Sequence, residues 1–164
     1  MRYDIKFYDG HAYQPAIPAI VAAGAVQTIL AGTPTKGADA TAASPWTGAV
    51  VPMVDGDGTS TQRFAGIAKS DSSDTVAAAG TVLVYEPLPG LTYAAKAKTY
   101  STVDTAAEVE ALRFKRVVFD LTASVWTVDN AAADAAANGV VILGGDYQTG
   151  VLYFAVSTIC TVFH

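Results

Sequence analysis

The chain has 164 residues, a length that predicts one domain able to close a single core. Apolar residues make up 51%, with alanine and valine prominent over leucine, so close strand packing is favoured over a thick helical core. Asp and Glu number 15 against 10 Lys and Arg, a formal charge of -5, which argues against a nucleic-acid binder because phosphate contacts need a basic face.

Residues 1–25 read as an extended N-terminal arm. Tyr3, Phe7, Tyr8 and Tyr13 crowd the first positions, followed by Pro15 and Pro18. Proline lacks a backbone donor and holds the preceding residue extended, so residues 14–20 are expected to be extended and not helical. Two packings stay open: the arm contacts another subunit or a partner, or it folds back on its own domain. The six aromatic and proline positions are the candidate partner-binding residues. The charged start Met1-Arg2-Tyr3-Asp4-Ile5-Lys6 lacks the apolar core of a signal peptide, and no run reaches membrane-spanning length. Synthesis and folding in a reducing cytoplasm, with no membrane partner, are therefore expected.

Residues 26–164 read as one β-rich domain. Val26-Gln27-Thr28-Ile29-Leu30 is an expected first strand, followed by a turn at residues 31–34 and a polar loop over 35–45. A strand is expected over 46–53, with Pro52 at an edge or bulge. Asp55-Gly56-Asp57-Gly58 has the residues of a hairpin turn. Residues 64–98 then alternate short β-rich runs with turn residues: Phe64-Ala65-Gly66-Ile67-Ala68, a Ser-Asp loop at 70–74, Thr81-Val82-Leu83-Val84-Tyr85, the proline turn 86–90, and an alternating run over 91–98. They read as a pair of hairpins.

The period changes at Thr105-Ala106-Ala107-Glu108, a capping-box pattern that predicts a short helix over about 105–113. Strands are expected over 114–121 and 123–128. The alanine run 131–137 is open to two readings: a second short helix capped by Asp129 or Asn130 and stopped at Gly139, or a mobile loop, since it has no large apolar face. Further strands are expected at 140–143, 151–156 and 158–163, with Gly144-Gly145-Asp146 as a turn. The predicted fold is mainly β, a β-barrel or β-sandwich with one or two short helices and the extended arm.

Motifs for chemistry are incomplete. Gly32-Thr33-Pro34-Thr35-Lys36-Gly37 resembles a phosphate loop, but Ala38 and Asp39 stand where Lys and Ser or Thr must follow the second glycine. Asp55 and Asp57 echo the start of a calcium loop that lacks its closing glutamate. The Ser-Asp loop reads as a solvated turn. His11 and His164 have no metal-ligand neighbours beyond a lone Cys160-x3-His164 pair. No nucleophile elbow is present, and Glu108 and Glu110 diverge on a helix. Arg113, Lys115 and Arg116 read as a solvated cluster. Cys160 is the one cysteine, so no intrachain disulfide forms, and its apolar surroundings predict a buried, inert thiol. No catalytic, cofactor-binding or metal-ligating residues are assigned, and the chain is not expected to be an enzyme.

The series Phe64-Ala65-Gly66-Ile67-Ala68, Ser72-Ser73-Asp74-Thr75-Val76, Ala79-Gly80-Thr81-Val82 and Val84-Tyr85 resembles the capsid cement, or head-decoration, proteins of tailed double-stranded DNA bacteriophages. Ile29-Leu30-Ala31-Gly32-Thr33-Pro34 and Gly150-Val151-Leu152-Tyr153-Phe154 fit the same pattern, while residues 100–138 depart from the shortest members and read as a possible helix-containing insertion. The resemblance implies a non-enzymatic virion protein, made in the host cytoplasm, that sits on the capsid exterior. It would bind the major capsid protein, bridge its subunits and self-associate, with a trimer favoured. An alternative virion role is adhesion to a host-surface glycan, with Trp46 or the tyrosines stacking on sugar rings.

Overall fold

The computed structural model describes residues 5–9, 16–21, 29–38, 48–73, 79–88 and 90–161, apart from the side chains of 6–9 and 159. Its strands are β1 (Lys6–Asp9), β2 (Ala16–Val21), β3 (Pro34–Gly37), β4 (Ala49–Pro52), β5 (Phe64–Ala68), β6 (Thr81–Tyr85), β7 (Thr92–Lys96), β8 (Arg116–Val117), β9 (Phe119–Thr122), β10 (Val125–Val128), β11 (Val140–Asp146) and β12 (Val151–Val156). One short α-helix, α1 (Ala106–Ala111), lies between β7 and β8. The chain is mainly β and contains a barrel, as its composition and turn spacing predict.

Strands β2-β4-β3-β5-β6 close into a barrel, and a second, open sheet runs β1-β7-β12-β11-β8, with β9 and β10 forming a separate hairpin. In the barrel only β2 and β4 are parallel; the other neighbours are antiparallel. The barrel interior holds Ala19, Val21, Ile29, Val50, Ala65, Ala68, Val82 and Val84. A barrel of few strands has a narrow lumen, which small side chains fill without strain. Three alanines, four valines and Ile29 fill it. The second core is aromatic: Phe64, Tyr93, Phe119, Trp126 and Phe154 lie in it with ring centroids 5.6–6.4 Å apart along a connected chain of contacts. Burying each large apolar side chain there contributes roughly 2–3 kcal/mol.

β5 belongs to both cores. Phe64 and Ile67 face the aromatic core, while Ala65 and Ala68 face the barrel. Strict alternation forbids residues three apart from sharing a face. The break is a bulge: β3 pairs Thr35 with Gly66 but Lys36 with Phe64, leaving Ala65 as the extra residue. Gly66 takes φ 142°, and a Cβ there would stand 2.1 Å from the Tyr85 carbonyl oxygen. The buried Thr35 hydroxyl donates to the Gly66 carbonyl oxygen at 2.9 Å, which fastens the bulge.

The helix forms where the capping box predicts it. The Thr105 hydroxyl accepts from the Glu108 N–H, and the Glu108 carboxylate accepts from the Thr105 N–H and hydroxyl. Val109 is its buried residue, and residues 100–138 supply Val103, Val109, Val117, Phe119, Trp126 and Val128 to the aromatic core.

Several expected boundaries move. Residues 34–37, expected at the end of a turn and in the polar loop after it, are β3, held between β4 and β5; Ile29 and Leu30 are not strand, and 26–28 lie outside the described residues. The turn at Asp55-Gly56 is not a hairpin, because β4 and β5 both pair with β3 and not with each other. Instead Gly56 and Phe119 exchange bonds with this segment, Gly56 N–H to Phe119 O at 3.1 Å and Phe119 N–H to Asp57 O at 2.8 Å, so it links the barrel to β9. Likewise the proline turn after β6 carries the chain from the barrel to the second sheet, and β6 and β7 do not pair. No α-helix forms over 130–138, where Asn138 and Asp129 side chains satisfy the backbone of an irregular segment. Gly144-Gly145-Asp146 continues β11, and the turn falls at 147–150. The expected last strand is a 3-10 turn at Thr158–Cys160 followed by a bridge from Thr161 to Phe64.

The segment expected as an arm is tied into the chain's own sheets: Lys6 pairs with Ala94 on the edge of the second sheet, and Ala16 to Ile20 pair with Tyr85 to Thr81 in the barrel.

Replacing Gly66 by Ala should cost roughly 3 kcal/mol or more, because strain at the backbone adds to the clash with Tyr85. Gly56→Ala, at φ 79° with open space around its Cβ position, should cost only about 1 kcal/mol. Denaturant midpoints of the two variants check this, and equal losses would remove the bulge from its place in the fold.

Candidate functional site

On β2, Ala19 and Val21 point into the barrel, so the alternate positions Pro18 and Ile20 point out. On β6, Val82 and Val84 point in and Leu83 points out. The register sets Pro18 opposite Leu83. Pro18, Ile20 (53% exposed) and Leu83 (39%) therefore form one apolar strip on the outer barrel wall. Pro18 is a residue singled out from the sequence, and Ile20 and Leu83 join it through cross-strand pairing.

Phe7 and Tyr8 have their backbone in β1, where Phe7 is opposite Tyr93. Their side chains, like Tyr3, Tyr13, Pro15 and Trp46, lie outside the described residues. So do His11 and His164.

The motif fragments have structural occupations. Lys36 of the phosphate-loop-like segment forms an ion pair with Asp57 at 2.7 Å, and the buried Asp57 carboxylate also accepts the Val54 N–H at 2.7 Å. Asp55 accepts the Leu121 N–H at 3.2 Å. In the Ser-Asp loop, Ser70 accepts from Leu83 N–H (3.1 Å), Asp71 from Ala31 N–H (2.9 Å), Ser72 from Ile29 N–H (3.2 Å) and Ser73 from Thr81 N–H (3.2 Å). The loop thus fastens the start of β6 to the chain that leads into β3. Asp74 lies outside the described residues.

Among the basic cluster, Arg113 pairs with Glu110 at 3.2 Å and Lys115 donates to the Asn130 carbonyl oxygen at 2.9 Å. The Arg116 N–H donates to Asp134 at 3.1 Å. Cys160 is buried against Gly139, and burial pushes its thiol up from the ordinary value. Among the described residues, no three His, Cys, Asp or Glu are placed to hold a metal ion, and no helix is long and apolar enough to cross a membrane.

The strongest electrostatic feature is Lys98, whose ammonium lies 2.7 Å from Asp120 and 2.9 Å from Asp129. Hydrogen bonds to both carboxylates raise its pKa. Burial acts to raise Asp120, but the Lys98 ammonium and the hydroxyls of Thr122 and Thr127 outweigh it and hold the carboxyl below the ordinary value. The Asn130 side chain completes this corner by bonding Thr99 N–H, Thr99 O and the Thr102 hydroxyl at 3.0, 3.0 and 2.7 Å. The cluster joins the end of β7 to the β9–β10 hairpin and is structural in character.

A shallow cleft of about 360 Å³ opens beside it, lined by Lys96, Ala97, Tyr100, Gln148, Thr149 and Gly150. Sequence reading missed it because its two walls lie some fifty residues apart; the only local signal is the turn composition Tyr147-Gln148-Thr149-Gly150. Comparison with family models, with curated proteins and with solved structures gives no match.

Since Asp120 is held low in the folded state, its contribution is complete above the unfolded carboxylate value of about 3.9 and is lost as pH falls through the lower folded value. Asp120→Asn should therefore flatten the acid limb of the stability profile and cost about 2 kcal/mol at neutral pH. Urea unfolding from neutral pH into the acid range measures both; an unchanged acid limb would assign the acid sensitivity to other carboxylates.

Proposed function

We propose that this chain is a structural virion protein, not an enzyme, that binds the outer surface of a tailed-phage capsid and bridges major capsid subunits. The observation that carries this reading is the outward apolar strip of Pro18, Ile20 and Leu83. A closed barrel has no free backbone edge, so contact through its wall depends on side chains, and clustered exposed apolar side chains suit a protein interface. The resemblance to capsid cement proteins supports the same reading, because its central series includes β6, the strand that carries Leu83 of the strip. Net negative charge is compatible with a protein that contacts the shell and not the packaged DNA.

In this proposal the barrel wall faces the capsid or a second copy, self-association favours a trimer, and many equivalent weak contacts add up over the shell surface. The N-terminal aromatics Tyr3, Phe7, Tyr8 and Tyr13, with Pro15, are further candidate contact residues in this reading, on the strength of the sequence. Removal of residues 2–20 would take away β1 and most of β2 with it, so point changes on the outer face are the cleaner probe.

Ile20→Asp and Leu83→Asp should each lower occupancy on heads assembled without the protein by roughly tenfold or more. Quantitative gel densitometry of purified heads reads the occupancy, with circular dichroism confirming the fold. A double variant that fills heads normally would overturn the strip as the contact surface. Sedimentation equilibrium of the wild-type chain tests the trimer, and a monomer at every concentration would overturn it.

A further inference from the structure

We infer that the cleft between the end of β7 and the turn at 147–150 is a saccharide-binding site, with Tyr100 as the stacking platform and Gln148 as the hydroxyl-recognising group. This proposal does not depend on the capsid reading.

Tyr100 is 50% exposed, yet its ring is held in place. One side lies against Gly150, where a Cβ would come within 2.4 Å of the ring. The phenolic oxygen is 3.3 Å from the Tyr147 carbonyl oxygen and 3.4 Å from that of Gln148, which share its single O–H donor. Gly150 is fixed in turn: it takes φ 65°, and its carbonyl accepts the Ala97 N–H at 2.9 Å. The turn that carries Gln148 is closed by Asp146, which accepts from Gln148 N–H at 3.0 Å and from the Thr149 hydroxyl at 2.7 Å. Those bonds hold the Asp146 carboxyl below its ordinary value, with the Thr149 hydroxyl as the main cause.

The result is a pre-set aromatic surface beside a rigid polar turn. A side chain already fixed loses little entropy when a ligand arrives. The Gln148 carboxamide makes no hydrogen bond among the described residues, so its donors and acceptor are available to vicinal hydroxyls. The ammonium of Lys96, which donates to the Thr149 carbonyl oxygen, gives the cleft floor a positive group close to the Asp146 carboxylate. Opposed charges of this kind suit a neutral, hydroxyl-rich ring more than an ionic ligand. A peptide fits less well. Strand addition needs an unpaired edge, and the flanking strands β7 and β12 are already paired, Lys96 opposite Val151.

The probes are the methyl glycosides of glucose, galactose and mannose, free N-acetylglucosamine, and an acetylated triproline amide as the peptide alternative. Each is titrated into the isotopically labelled full chain while backbone amide shifts are followed. At least one sugar should give saturable shifts confined to residues 96–100 and 147–150, in the millimolar range expected of one stacked ring. Tyr100→Ala should weaken that binding by roughly tenfold. Gln148→Ala, on an exposed turn where folding is not at stake, should weaken it several-fold. The proposal is overturned if no sugar saturates these amides, if both variants bind as the wild type does, or if the triproline amide saturates them and the sugars do not. None of these outcomes bears on capsid occupancy, so the two readings fail separately.

Discussion

Five residues without a solvent face hold this molecule together. β5 is at once a stave of the barrel and the floor of the aromatic core, and it does both because its side chains differ in size on its two sides. Ala65 and Ala68 are small enough for a narrow lumen; Phe64 and Ile67 are large enough to anchor the rings of the other layer. A regular strand could not present that set, since the two large residues would fall on opposite faces. The bulge at Gly66 reverses the alternation at one peptide, and the Thr35 hydroxyl keeps it reversed. Without it, the two halves would have separate walls and a polar seam between them.

The acidic residues have a comparable double use. Their excess over basic residues first reads as a statement about partners, but many of them are spent inside the fold. Asp55, Asp71, Asp134 and Asp146 accept backbone N–H groups from other segments or their own turn, Asp57 and Asp120 are buried beside lysines, and Glu108 closes a helix end. Each such bond contributes only about 1 kcal/mol net, so their value lies in defining loop paths that no apolar contact would define. Net charge is therefore a weak guide to an acidic surface in a loop-rich β protein of this kind.

What could be read in the sequence, and what could not, divides along the same line. β5, β6, β12 and α1 were legible because their own residues carry the pattern: short apolar or β-branched runs bounded by turn residues for the strands, and a hydroxyl three residues before a glutamate for the helix. β3 was not, since Pro34-Thr35-Lys36-Gly37 has poor strand propensity and is extended only because β4 and β5 pair on both its sides. The glycines of β11 are a similar case, extended by pairing with Tyr153 and Leu152. The β9–β10 turn uses Ala123 and Ser124 at φ 50° and 64°, where sequence signals would ask for Asn or Gly. For the candidate surface, proline spacing made the extended state of Pro18 legible. Ile20 and Leu83 were not, because an outward β-branched or aliphatic residue looks like an inward one until the register is known. The Tyr100 cleft was invisible for want of any local signature.

The strand order also governs how the chain can assemble. β1 finds its partner in β7, Lys6 against Ala94, and β2, which also lies beside β4, meets its antiparallel partner in β6, Ala16 against Tyr85. Neither sheet can therefore be completed until more than half of the sequence has left the ribosome, and meanwhile β1 waits unpaired and β2 has one side open. Pairings so distant in sequence make for slow folding with extended, association-prone intermediates. A proline within β2 removes one backbone donor from that waiting strand, and a proline at the end of β4 does the same for its neighbour, which lowers the risk that nascent chains pair with one another before the barrel closes.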